Sequence, residues 1–132
     1  MELSEQVGRF LEYQGFGSYD TNTTIFINRS PDKPDESIAI YPGALGVADP
    51  KNEYGMASLQ LLIRTAPYQS LAVEKKAREI IMALNGFNSD YLVPGGFYII
   101  NITALQSSPA GIGADASNRY EFSQNFQIEY MI

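Results

Sequence analysis

The stretch Leu59 to Gly86, LQLLIRTAPYQSLAVEKKAREIIMALNG, reads as one strand running into one amphipathic helix, and it sets the architecture of the chain. Leu59, Leu61 and Ile63 alternate with Gln60, Leu62 and Arg64, so one face is wholly apolar and the other mixed, as in a half-buried strand. Pro67 ends the ladder. Beyond it Val73, Ala77, Ile80, Ile81 and Leu84 recur at helical spacing, while Glu74, Lys75, Lys76, Arg78 and Glu79 take the opposite side. Ser70 is the expected N-cap, without a capping box because Val73 stands three positions later. Gly86 supplies the left-handed residue that commonly ends a helix. Such a helix needs a sheet to cover, and strands flank it on both sides.

Upstream, Ser37 to Tyr41 is a short strand that Pro42 and Gly43 end, and Thr23 to Asn28 is a β-branched strand before it. The turn Arg29 to Glu36, RSPDKPDE, is expected to join these two as a hairpin. Leu3, Val7, Phe10 and Leu11 mark one face of a helix within Glu2 to Gln14, stopped by Gly15 and weakened at Gly8. Between Gly43 and Gly55 lies a loop with Leu45, Val47 and Tyr54 but no usable period. Downstream, Phe87 to Gly96 reads as a partly packed connection and Phe97 to Gln106 as a strand. Ser107 to Asn118 is small and Gly-rich, hence a flexible excursion. The chain closes on Arg119 to Ile132, where Phe122, Gln124, Phe126, Ile128 and Tyr130 alternate with Glu121, Ser123, Asn125, Gln127 and Glu129. That is an antiparallel strand with one wetter face. The expected fold is α+β, a mostly antiparallel sheet of about five strands with two helices on one face, in the order α-β-β-β-α-β-β over a single domain, residues 1–132.

Composition narrows the chemistry. With no histidine and no cysteine, Ser-His-Asp and Cys-His arrangements cannot be built, and thiolate-held zinc is excluded. The net charge of −6 argues against affinity for nucleic-acid phosphates. No apolar run approaches the roughly 20 residues that span a bilayer, and MELSEQVGRF has no export-signal pattern, so synthesis in the cytoplasm is expected. Asp32, Asp35 and Glu36 are carboxylates that could ligate a hard cation, but with Lys33 and two prolines among them they read as solvated surface. Asp49, Asn52 and Glu53 miss the calcium-loop spacing, and Gly111-Ile112-Gly113-Ala114 lacks the ending of a phosphate-binding turn. No cofactor, metal or catalytic residue is expected. The candidate contact residues are instead Tyr41, Tyr54, Tyr68 and Tyr91, large amphipathic rings at strand ends or in loops, with Arg64 and Arg119. Each arginine either pairs within its own chain or crosses to a neighbouring subunit.

The Arg-terminated strand and helix LQLLIRTAPYQSLAVEKKAREIIMALNG and the closing strand RYEFSQNFQIEYMI, in which Arg119 precedes Asn125-Phe126 and Ile128-x-Tyr130, resemble the minor capsid and tail terminator proteins of long-tailed bacteriophages and their prophages. By order of elements the resemblance spans nearly the whole chain. It implies a virion subunit that assembles into a ring, commonly a hexamer, ending the tail tube on its head-proximal side and joining it to the neck. The implied partners are copies of the chain, the tail tube protein and neck or head-completion proteins. DNA would pass through the lumen without specific binding, repelled by acidic side chains. The loops Gly43 to Gly55 and Ser107 to Asn118 would reach neighbours. The apolar FNSDYLVPGGFYI departs from the family pattern and suggests an extra contact. Competing readings are a head-closure or other neck connector, a carboxylate or metal enzyme, and a small monomeric binding domain.

Overall fold

The computed structural model describes residues 1–46, 48–51 and 53–132. Val47 and Asn52, named above in the Gly43 to Gly55 loop, lie outside the described residues. In chain order the elements are α1 (Leu3–Tyr13), β1 (Ile25–Ile27), β2 (Ser37–Ala44), β3 (Tyr54–Arg64), α2 (Ser70–Leu84), β4 (Asn88–Tyr91), β5 (Tyr98–Ala104), β6 (Ala110–Ala114) and β7 (Tyr120–Met131).

The alternation in β3 has its expected consequence. Leu59, Leu61 and Ile63 are buried, and through register they align with Ile38 and Ile40 of β2 and with Phe126 of β7. Ile99, Ile102 and Ile128 extend this apolar face. Val7 and Leu11 of α1 and Val73, Ala77, Ile80 and Leu84 of α2 close over it, forming one core cluster. Both helices therefore cover the same side, and the sheet is one layer of a two-layer sandwich.

Gly8, which lowers the intrinsic stability of α1, has a packing reason. A Cβ there would stand 3.1 Å from the Tyr19 ring and 3.5 Å from Ile25, so glycine lets the helix lie close to β1. Gly86 has φ +81 and ends α2, as its position predicts. Ser70 does not cap that helix: it is the first helical residue, Gln69 precedes it, and no side-chain cap bond forms.

The sheet corrects the expected topology in three ways. It has seven strands instead of five, in the order β1-β2-β3-β7-β5-β4, with β6 pairing β7 off that path. The two additional strands come from segments without apolar alternation. β4 is fully exposed and pairs β5, while the Gly-rich β6 folds back on β7, so Ser107 to Asn118 is a strand and its turn, not a loose excursion. Backbone pairing builds both, which side-chain periodicity does not report.

Second, the sheet is mixed. β1 lies parallel to β2, so the expected hairpin is replaced by a chain that doubles back through residues 28–36. Third, the central strands are longer than the alternation suggests: β2 continues through Pro42 and Gly43 to Ala44, and β3 starts at Tyr54. Pro42 is tolerated because β1 reaches only the level of Ile40, so the missing N–H would have pointed where no strand lies.

The segment after α2 turns inward. Leu92 and Val93 are buried, and the Gly96 turn leads into Phe97, whose N–H donates to Gln6 Oε1 at 2.9 Å. The apolar character of 87–96 is thus used within this chain. At the C-terminus the Ile132 N–H donates to the Glu53 carbonyl at 2.9 Å, fastening the end of β7 beside the start of β3.

Candidate functional site

Helices on one side leave the other face of the sheet open. Alternation places Gln60 and Leu62 of β3, Ser123, Asn125, Gln127 and Glu129 of β7, and Asn101 and Thr103 of β5 there. It is a surface of amides and hydroxyls whose exposed charge is acidic, Glu121 and Glu129. Its one base, Arg64, is buried.

At the end of this face where β3 begins, register aligns Tyr54 with Met131, Met131 with Tyr98, and Tyr98 with Tyr91. Four strands thus contribute one row of large, partly apolar side chains. Tyr91 and Tyr98 meet edge to face with centroids 5.6 Å apart. The Tyr54 hydroxyl donates to Glu129 Oε2 at 2.9 Å, the diagonal neighbour on β7, and this bond to a carboxylate raises its pKa above the ordinary phenol value. Tyr91 is 53% exposed and Tyr54 37%. A contiguous row of this kind is the sort of surface another protein covers.

The opposite end is built differently. Arg64 Nε donates to the Asp35 carbonyl at 2.9 Å, and its Nη2 donates to the carbonyls of Pro31 at 2.6 Å and Pro34 at 2.8 Å. Arg119 Nη2 reaches Asp32 Oδ1 and its Nε reaches Asp115 Oδ2, both at 2.8 Å, and its Nη1 also donates to the Asp32 carbonyl. Two arginines from the end of β3 and the start of β7 therefore clamp residues 31–35 onto the sheet. Burial opposes the Arg119 charge, but the bonds from Asp32 and Asp115 outweigh it and hold the guanidinium above its ordinary pKa. Asp32 and Asp35, expected as plain solvated carboxylates, are partners of this clamp. Among the described residues no group of three or more histidine, cysteine, aspartate or glutamate side chains could hold a metal ion.

Asp115 makes the clamp pH-sensitive. Its Oδ1 accepts the backbone N–H of Arg119 at 3.0 Å, and this bond, with that from Ser117 and the guanidinium itself, holds the carboxyl below its ordinary value of 3.8. A depressed folded pKa contributes stability that is present above the unfolded value and lost as pH falls through the folded one. Thermal unfolding should therefore be flat around neutrality and fall below about pH 4. Asp115→Asn should lower the neutral-pH midpoint and flatten the acid limb.

The six sequence candidates fall into separate places. Tyr54 and Tyr91 share the row, and Tyr41 lies on the open face opposite Gln60 of β3. Tyr68 stands at the clamp end, 77% exposed at φ +63, with its N–H donated to the Asn118 carbonyl and its hydroxyl accepting from Asn118 Nδ2 at 3.1 Å. Arg64 and Arg119 use their donors on their own chain. Tyr98 and Met131 complete the row without having been singled out. Each belongs to a strand read correctly, but their juxtaposition depends on the register of four strands.

Comparison with known proteins fits this architecture. Residues 14–132 match the family model described as bacteriophage tail terminator protein. The chain belongs to this family. A chain of the solved structure titled "Virion of native gene transfer agent (GTA) particle" shares the fold of this tail terminator family member, with a TM-score of 0.70 at 12% identity over 98% of this chain and 95% of that one. No curated protein matches the chain in sequence.

Proposed function

We propose that the protein is a non-catalytic structural subunit of a virion that assembles as a ring of copies, commonly six, at the head-proximal end of a tail tube. There it ends the tube and joins it to the neck. The observation that carries this reading is the family match over residues 14–132. The geometry supports it in two respects. The Tyr54, Met131, Tyr98, Tyr91 row gives one end of the sheet a surface suited to the tail tube protein, leaving the clamp end toward the neck. The open face carries Glu121 and Glu129 without an exposed base, so turned toward a lumen it repels phosphates and lets DNA slide.

The test is polymerisation of the tail tube protein in the presence of this one. Substoichiometric amounts should halt elongation, and Tyr91→Ala combined with Tyr98→Ala should abolish the effect while leaving the subunit's melting temperature nearly unchanged, since both rings are exposed. Tubes that lengthen equally with and without the protein would contradict the reading. Binding to neck proteins but not to tube ends would assign it to a connector instead.

A further inference from the structure

Three strands have an outer edge without a neighbouring strand: β1, β4 and β6. Bare N–H and C=O groups on an edge template further pairing, so native sheets protect them with charge, kinks or covering chain. β4 is protected, with Asp90 in it and Ser89 at φ +50. β1 is partly covered, because the N–H groups of Thr24 and Ile25 both donate to the Ser18 carbonyl. β6 has no such device. The run Leu105 to Ala114, LQSSPAGIGA, holds no charge, and Ile112, its one β-branched aliphatic residue, is 58% exposed. β6 also lies in line with β5 along β7, while β4 flanks β5 alone, so the sheet steps inward by one strand at β6.

The two lateral edges of the sheet match each other. Ile25 and Gly111 fall on a single row, through Ile38, Ile63 and Phe122, and Phe26 and Ala110 fall on the next, through Ala39, Leu62 and Ser123. β1 runs opposite to β3 and β6 runs with it, so β6 of one copy set beside β1 of another is antiparallel without sliding along the strands. The row of Ile25 and Gly111 points toward the helices in both, which keeps the apolar faces continuous. A groove of about 240 Å³ follows the β1 edge, lined by Tyr19, Thr23, Ile25, Phe26, Ile27 and Arg29, and gives Ile112 a place to enter.

We infer that β6 of each copy adds to the β1 edge of the next, so that one sheet runs around the ring. The inference rests on the ring reading above and names its subunit contact. A head-to-tail contact closes only if each step rotates without rising along the axis, and otherwise builds a filament. The shared rows supply a step without rise.

The chain lacks cysteine, so the contact can be read with introduced thiols. Thr23→Cys together with Ile112→Cys, treated with a short bis-maleimide, should give a ladder of covalent multimers ending at the ring number, and neither single variant should give a ladder. Ile112→Lys should convert rings to subunits in sedimentation velocity with an unchanged circular dichroism spectrum and melting temperature. Rings that survive Ile112→Lys, or that never cross-link through this pair, overturn the edge contact and leave the ring standing. Dimers from Ile112→Cys alone would show a two-fold β6 contact and overturn it as well. A wild-type chain that stays at subunit mass at all concentrations removes both.

Discussion

Arg64→Ala is expected to destabilise the isolated subunit by about 3 kcal/mol, the scale for removing a buried charged donor from several acceptors. Arg64 is 3% exposed and serves the carbonyls of Pro31, Pro34 and Asp35, which residues 28–36 cannot satisfy among themselves. The loss should be local before it is global. Amide exchange should rise first in residues 28–36 and at the start of β2, while β7 keeps its protection. Arg64→Lys should recover little, because a single ammonium cannot serve carbonyls that a planar fork reaches together. Denaturant unfolding of the three proteins with exchange read by segment checks this. A loss below about 1 kcal/mol would mean that the loop holds itself.

Phe126→Ala should cost about 3–5 kcal/mol, the usual range for removing a buried aromatic side chain. Phe126 is 1% exposed at the middle of β7, aligned with Leu59 on one side and Ala104 on the other. Because β7 pairs with β3, β5 and β6, a cavity there loosens the strand that unites the sheet. Leu71→Ala removes an apolar side chain of similar chemistry that is 79% exposed on α2, and should leave the urea midpoint almost unmoved. Equal effects from the two would contradict the core as described.

What could be read from residues alone follows from what periodicity encodes. The alternation in Leu59 to Arg64 and the helical spacing in Val73 to Leu84 are side-chain signals, so β3, α2 and the face each buries were legible, as was β7. β4 and β6 were not, because Asn88–Tyr91 and Ala110–Ala114 have no apolar stripe and are held by backbone pairing. The parallel setting of β1 was hidden for another reason. Nothing within Arg29 to Glu36 fixes its direction, and the residues that do, Arg64 and Arg119, lie far along the chain.

The contact residues divide along the same line. Tyr54 and Tyr91 stand out as amphipathic rings near strand ends, which a linear scan can find. Tyr98 and Met131 join them only through cross-strand register. Arg64 and Arg119 admitted an internal or an external partner equally, since the choice depends on whether carbonyls and carboxylates of the same chain come within reach.

The mass of the intact purified protein under native conditions tests the central claim most directly. The account predicts a single closed assembly, an integer multiple of the 14.6 kDa subunit that stops at one number and does not extend. A subunit-mass species at every concentration, or an open series of ever longer oligomers, would contradict it.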